Sequence, residues 1–353
     1  VCYFEDSIKR KEQTNDINAP DISLIICKDF IVFDKTNNKV FIVVFSDNSK
    51  KGYDDSKEKV SSYEKLLITN LDANDHAKSA QKTTVQYHFE KDDFISAVKK
   101  IKEYISSGDV MQVVLSQRMM IHFSEKPINF YRELRQINPS PYMYYLNMGD
   151  YTVVGSSPEI LVRLEDKKVT VRPIAGTRPR GKNNKEDKKY ALDLLKDKKE
   201  LAEHLMLLDL GRNDVGKVSK VNSVKVTEKF KVENYSHVMH IVSNVIGKFN
   251  NQFSLFETLL SGFPAGTVSG APKIRAMEII DELEKTKRKL YAGGIGYFTP
   301  NGEFDTCIAL RTALIKNNKF YVQAGAGVVA DSKPEKEYVE TVNKAKALMS
   351  AVD

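Results

Sequence analysis

The sequence predicts an α+β protein with large antiparallel sheets and helices on the outside. Two observations point there. Strand-like stretches come in runs instead of alternating strictly with helices, which argues against a doubly wound parallel sheet. Four of them, Tyr142 to Met148, Tyr151 to Gly155, Ile160 to Leu164 and Val169 to Arg172, follow one another with only turns between, the pattern of antiparallel neighbours. With 353 residues, 41% of them apolar, the chain can bury a substantial core.

Taken in order, Ile22 to Cys27, Ile31 to Phe33 and Val40 to Phe45 read as short strands, with turn chemistry from Asp34 to Asn38. Lys50 to Lys59 is charged and loop-like, and a helix follows to about Ile68. The polar, aperiodic text from Thr69 to Gln81 is the best linker, separating a partial N-terminal region (1–82) from a catalytic region (83–353). The chain opens at Val1, without Met and already in strand-like text, so upstream residues are expected. Phe94, Val98, Ile101 and Ile105 recur at helical spacing until Gly108. Met111 to His122 is a long strand, and Ile128 to Gln136 a helix. Gly176 to Tyr190 reads as a basic loop, followed by a helix from about Glu186 to Asp209. Strands are expected at Val221 to Val232 and His240 to Gly247, and helices at Leu255 to Ser261 and Lys273 to Leu283. Four more strands lie near Gly294–Tyr297, Phe304–Leu310, Thr312–Ile315 and Phe320–Gln323. Gly325-Ala326-Gly327 reads as a turn in which glycines let the backbone approach a ligand, and Pro334 opens the last helix.

Composition excludes several classes. The net charge is +7, but acids and bases are interspersed and no basic tract carries aromatics, so a nucleic-acid role is excluded. Cys2, Cys27 and Cys307 are far apart with no CxxC, which fits a reducing, cytoplasmic compartment and no structural zinc. The longest apolar run, Val40 to Phe45, is too short to span a bilayer, and no signal peptide is visible.

Several constellations could do chemistry. On the last helix Glu337, Glu340 and Lys344 share a face, and Glu200 and Glu203 share a face of another helix. Two helices, each presenting a carboxylate pair, could form a Mg²⁺ site, since Mg²⁺ prefers oxygen ligands; taken singly, each pair also reads as a solvated surface pair. SSPE, ending at Glu159, places a carboxyl just after a strand, where desolvation would let it hold a proton as a general acid; a plain turn glutamate has the same text. PIAGTRPRG, from Pro173 to Gly181, is donor-rich enough to grip a carboxylate, and equally a basic surface loop. Arg311 interrupts an apolar strand and needs an acidic partner. FPAGTVSGAPK joins a donor-rich loop to a helix start. His237 and His240 are structural or catalytic.

Together these stretches resemble the chorismate-utilising enzymes, and among them the large subunits of anthranilate synthases. The match runs from about Tyr87 to the C-terminus through QVVLSQR, NPSPYMYY, SSPE, PIAGTRPRG, ELAEHLMLLDLGRND, HVMHIVSNVIG, FPAGTVSGAPK, YAGGIGYF, IALRTA, QAGAGVVADS and a final ExxExxxK. The resemblance implies antiparallel sheets packed as a sandwich, and a reaction that turns chorismate and ammonia into anthranilate and pyruvate in tryptophan biosynthesis. It implies Mg²⁺ held by Glu203 and Glu340 with help from Glu200 and Glu337. Gly176, Thr177, Tyr291, Arg311, Gly325, Ala326, Gly327 and Lys344 match chorismate-contacting positions. Glu159 matches the general acid for the departing hydroxyl; Thr267 and His240 match residues flanking the ring, His240 being tied to pyruvate loss. Pro141, Tyr142 and Met143 match half of a tryptophan feedback site whose other half, an LLES segment, is not in this chain.

Two positions separate the subfamilies. Water-adding relatives carry a Lys where this chain has Gln112, which cannot act as a base, and aminodeoxychorismate synthases carry a Lys where this chain has Ala175. Both changes leave room for ammonia, already nucleophilic. No cysteine has the setting of a glutaminase nucleophile, so the expected partner is a separate glutamine amidotransferase subunit. The alternatives are a relative that stops at 2-amino-2-deoxyisochorismate, an aminodeoxychorismate synthase component, or a sensing module with dead chemistry.

Overall fold

The computed structural model describes residues 17–69, 84–235 and 238–352. They divide into two compact units, residues 20–79 and the remainder. Most of the expected linker, together with Cys2 and His237, lies outside the described residues.

The smaller unit is a hairpin of β1 (Asp29–Asp34) and β2 (Lys39–Val44), followed by α1 (Lys50–Ile68). Asp34 closes the turn by accepting from the backbone N–H of Thr36 at 3.0 Å and of Asn37 at 3.1 Å. Two expectations fail here. The charged stretch from Lys50 is helix, started by the Ser49 hydroxyl accepting from Gly52 N at 2.9 Å, and α1 has no buried residue. Local capping suffices where no apolar stripe announces the helix. Ile22 to Cys27 forms no strand, and Leu24 and Ile26 are exposed.

The larger unit contains β3 (Gln86–Tyr87), α2 (Lys91–Ser106), β4 (Gln112–His122), α3 (Pro127–Ile137), β5 (Tyr142–Asn147), β6 (Thr152–Ser157), β7 (Ile160–Glu165), β8 (Lys168–Val171) and β9 (Ile174–Pro179). There follow α4 (Asn184–Leu194), α5 (Lys198–Lys217), β10 (Lys225–Asn234), β11 (Val238–Lys248), α6 (Leu255–Ser261), a short 3₁₀ turn (Gly266–Val268), β12 (Gly270–Ala271) and α7 (Lys273–Leu283). The chain ends with β13 (Gly294–Phe298), β14 (Phe304–Ile308), β15 (Thr312–Lys316), β16 (Lys319–Val328) and α8 (Pro334–Met349).

These strands make two seven-stranded sheets, one ordered β12-β4-β16-β15-β6-β5 with β3 on β4, the other β10-β11-β8-β7-β14-β13 with β9 on β11. The pairings are antiparallel, as the runs of strands predict. Helices cover the outside. Phe130 and Leu134 of α3 and Leu348 of α8 pack with Met119, Ile121 and Phe320 of the first sheet. Leu208 and Val215 of α5 pack with Leu161, Val162 and Val245 of the second. Phe94, Val98 and Ile101 of α2, at the spacing the sequence showed, join Ile279 of α7 over Val113 and Leu115.

Four local expectations are corrected. Gly325-Ala326-Gly327 is not a turn but the middle of β16, paired to Ser116, Leu115 and Val114 of β4. Ile174 to Pro179 is strand, not loop, because β11 offers it a pairing edge. The single helix expected from Glu186 is two, broken where Asp197 caps α5 by accepting from the N–H of Lys199 and Glu200. Arg311 is not inside a strand; it sits where the chain leaves β14 in one sheet for β15 in the other.

Candidate active site

Two such crossovers lie side by side. One joins β6 to β7 through Pro158 and Glu159, the other joins β14 to β15 through Arg311. Ile308 N donates to Glu159 O at 3.0 Å, and Ser156 N donates to Arg311 O at 3.1 Å. Arg311 has φ +48, a left-handed conformation that a non-glycine residue adopts at a cost. Glu159 is 5% exposed. Burial pushes its carboxyl up to about 8, opposed by the Thr267 hydroxyl, the Ile174 N–H and the charge of Arg311. Thr267 Oγ1 is buried and makes no aligned hydrogen bond. Glu159 is therefore neutral at pH 7, the state a general acid needs. Burial lowers the pKa of the Arg311 guanidinium, while Tyr235 and Glu159 favour its charge.

Beside the crossovers, β9 bulges against β11. Thr177 faces His240 and Ala175 faces Ile241, so Gly176 is the extra residue, at φ +71 where a Cβ would be strained. His240 Nδ1 lies 2.9 Å from Gly176 O and 3.2 Å from Thr177 Oγ1. Since a carbonyl only accepts, Nδ1 carries the hydrogen and Nε2 keeps its lone pair. Burial lowers the imidazole's pKa, and the Tyr235 ring stands edge-on at 5.2 Å.

The glycines of β16 are explained by what fills the space a Cβ would need. At Gly325 a Cβ would lie 2.6 Å from the Tyr291 hydroxyl, and at Gly327 2.5 Å from Gln112 Nε2 and 3.8 Å from Glu203 Oε1. Ala326, between them, is buried on the opposite side of the strand.

The two acidic pairs reach this same place. Glu203 on α5 accepts from Gln112 Nε2 at 2.9 Å. Glu200, one turn earlier, comes within 3.2 Å of a Cβ built on Gly176. On α8, Lys344 Nζ donates to Gly325 O at 3.0 Å and pairs with Glu340 at 2.7 Å. Burial raises the carboxyls of Glu200, Glu203 and Glu337, and the charge of Glu340 adds to the rise at both Glu203 and Glu337. Among the described residues no three His, Cys, Asp or Glu side chains stand close enough to hold a metal as they are placed. Like charges separate, and here Glu203 turns to Gln112 and Glu340 to Lys344. An all-oxygen set on two helices, in which burial and neighbouring carboxylates push up Glu200, Glu203 and Glu337, nonetheless has the chemistry of a hard-cation site.

Some expected site residues have other work. In the donor-rich stretch from Pro173 to Gly181, read as a carboxylate grip or a basic surface loop, Arg178 and Arg180 are tied to Asp193 and Asp197 and to Asp187. Pro141 and Tyr142 line a cleft of about 580 Å³ with Arg163, Arg172 and Tyr235, and the Tyr142 hydroxyl donates to Asp305 at 2.8 Å. Met143 packs into the core under α3 and α8. Tyr235 was not foreseen, since no spacing marks it. Gln112 was legible only as a residue unable to act as a base, and its contact with Glu203 depends on the register of β4.

The chain is similar to known proteins in sequence and in fold. The family model described as chorismate binding enzyme matches residues 2–350. Anthranilate synthase component 1 of Pseudomonas aeruginosa is 50% identical over 357 residues, covering 100% of this chain and 73% of that protein. The same component of Cereibacter sphaeroides is 59% identical over 79% of this chain, which spans 56% of its length. The crystal structure of anthranilate synthase component I from Streptococcus pneumoniae superposes with a TM-score of 0.88 at 40% identity, covering 98% of this chain and 77% of that one. The menaquinone-specific isochorismate synthase of Escherichia coli, 24% identical with a TM-score of 0.76 over 90% of this chain and 73% of its own, shares the fold.

Proposed function

The chain belongs to the family of chorismate-binding enzymes, and from that premise we propose that it converts chorismate and ammonia to anthranilate and pyruvate. The observation behind this reading is Glu159, a buried carboxyl that keeps its proton at neutral pH beside Thr267 and Arg311.

In the first step ammonia forms a bond to the ring carbon beside the carboxylate-bearing one, the ring double bonds shift toward the hydroxyl-bearing carbon, and the new ammonium gives up one proton. The ring hydroxyl leaves as water, its C–O bond breaking as Glu159 gives up its proton. In the second, a proton leaves the aminated carbon, the ring C–O bond to the enolpyruvyl group breaks, the ring becomes aromatic, and the released enolate takes up a proton to become pyruvate. His240 Nε2 takes that proton, a role supported by Nδ1 being anchored on Gly176 O. Arg311 and Lys344 supply charge for the substrate's carboxylates, Tyr291 and Thr177 supply hydroxyls, and Gly176, Gly325, Ala326 and Gly327 offer their backbone to the substrate. Glu203 and Glu340, with Glu200 and Glu337, would hold Mg²⁺, which when bound supplies positive charge to a substrate carboxylate.

Ammonia comes from a glutamine amidotransferase subunit or from ammonium salt. Cys307 is buried with its thiol pushed up to about 12 by burial, no setting for a glutaminase nucleophile. No helix among the described residues is long and apolar enough to cross a membrane, and free Cys27 and Cys307 suit the cytoplasm. Pro141, Tyr142 and Met143 remain the proposed part of a tryptophan site, and residues 83–353 the proposed catalytic region.

The test is to mix the protein with chorismate, Mg²⁺ and ammonium salt and to follow anthranilate fluorescence and pyruvate. Both products are expected. An aminated product without pyruvate would assign the chain to the relatives that stop at that intermediate, and binding without turnover would make it a sensing module.

A further inference from the structure

Behind the proposed substrate site lies a buried ion pair to which the reaction scheme gives no part. Glu284, at the C-terminal end of α7, and Arg288 meet through two hydrogen bonds, Nε to Oε2 at 2.8 Å and Nη2 to Oε1 at 2.6 Å. Their side chains are 3% and 17% exposed. A buried pair of this kind is poor value for stability alone, because desolvation cancels much of the attraction. What sets it apart is where the remaining hydrogen bonds go. Arg288 Nη1 donates to Val268 O at 2.6 Å, next to Thr267, and Nη2 donates to Val114 O of β4 at 2.7 Å. Its guanidinium lies over the Tyr291 ring, 5.4 Å from the centroid. Glu284 Oε1 accepts from the Ser116 N–H at 2.8 Å and hydroxyl at 2.7 Å, and that hydroxyl accepts from Gln323 Nε2, two residues before Gly325.

We propose that Glu284 and Arg288 are positioning residues for the reaction, holding the Thr267 turn and the Tyr291 ring at fixed distances from β4 and β16. A planar fork that reaches two carbonyls, a carboxylate and a ring face at once is the property arginine has and lysine lacks. The Thr267 hydroxyl acts on Glu159, and Val268 O, next in the chain, is the point at which Arg288 grips that turn.

This inference rests on the proposed activity, so wild-type anthranilate formation from chorismate, Mg²⁺ and ammonium is measured first; if there is none, the functional reading fails before this one is reached. With wild type active, Arg288→Lys is expected to fold, keep its affinity for ammonium, and lose kcat by about a hundredfold, the scale of a 1 Å misplacement. In a Thr267→Ala background the same change should cost less than in wild type, because one of the two groups it positions is already gone. Arg288→Met with Glu284→Leu, an apolar pair of similar size, tests the other side. It should keep or raise Tm while kcat stays low. The proposal is overturned if Arg288→Lys restores wild-type kcat, if the losses multiply independently of Thr267, or if the apolar pair turns over normally.

Discussion

Glu159 and Glu203 are the same side chain in two settings of one site, and the comparison shows how placement assigns work. Glu159 comes from a crossover between sheets, is almost fully enclosed, and makes no ion pair among the described residues, so burial makes it an acid at neutral pH. Glu203 comes from a helix, meets an amide, and faces other carboxylates, so it has oxygen lone pairs to share and repulsion that a cation would relieve. One would donate a proton; the other would donate electron pairs.

The largest break in that contrast is Glu159→Gln. Glutamine keeps the shape and neutrality but has no acid proton, so kcat should fall by roughly a hundredfold to ten-thousandfold with Tm retained. Equal loss of Tm and activity would make Glu159 structural. Next, Glu203→Gln should cost at least the roughly tenfold to hundredfold seen when even an outer partner of a metal ligand is lost. Mg²⁺ should raise the wild-type Tm by mass action and leave the variant's unchanged, a readout independent of turnover. A similar Mg²⁺ shift in both proteins removes Glu203 from the cation site.

The pH dependence sharpens the same comparison. The acid form of Glu159 prevails below about 8, so kcat should decline as pH rises through about 8. Because the folded carboxyl titrates above its unfolded value, its contribution to stability is present at low pH and is lost as pH climbs through about 8. Glu159→Gln should flatten that decline in Tm, and an unchanged slope would sink the assignment. The smallest effect expected is at Ala175, opposite Ile241 on β9. Ala175→Lys should obstruct ammonia and lower anthranilate output severalfold, by analogy with removing a contact of about 1 kcal/mol. Unchanged output would undercut its role in nucleophile choice.

Much of the fold was legible because the large sheets write their pattern in the text. Strands β5 to β8 and helix α2 appear close to where alternation and helical spacing put them. What misled were segments whose state is decided by a partner far away in sequence. Gly325 to Gly327 has turn composition but continues β16 because β4 supplies every partner. Ile174 to Pro179 has loop composition but pairs with β11, and its one irregularity is the bulge at Gly176. The acidic helix faces were legible from spacing alone, whereas the meeting of Glu203 with Gln112 required the fold. Glu284 and Arg288 left no signal, since an i, i+4 acid–base pair is ordinary surface text until tertiary packing closes over it.

The two neighbouring crossovers have a final consequence. The proposed acid and the left-handed arginine lie on the stitches that sew one sheet to the other, with Ser157 Oγ to Ile308 O at 2.6 Å as a further thread. Neither sheet owns the reactive centre, so loosening either one should disperse it. Catalytic output should then vanish along the same denaturant curve as the bulk far-ultraviolet signal, making turnover a gauge of how well the halves of this molecule stay joined.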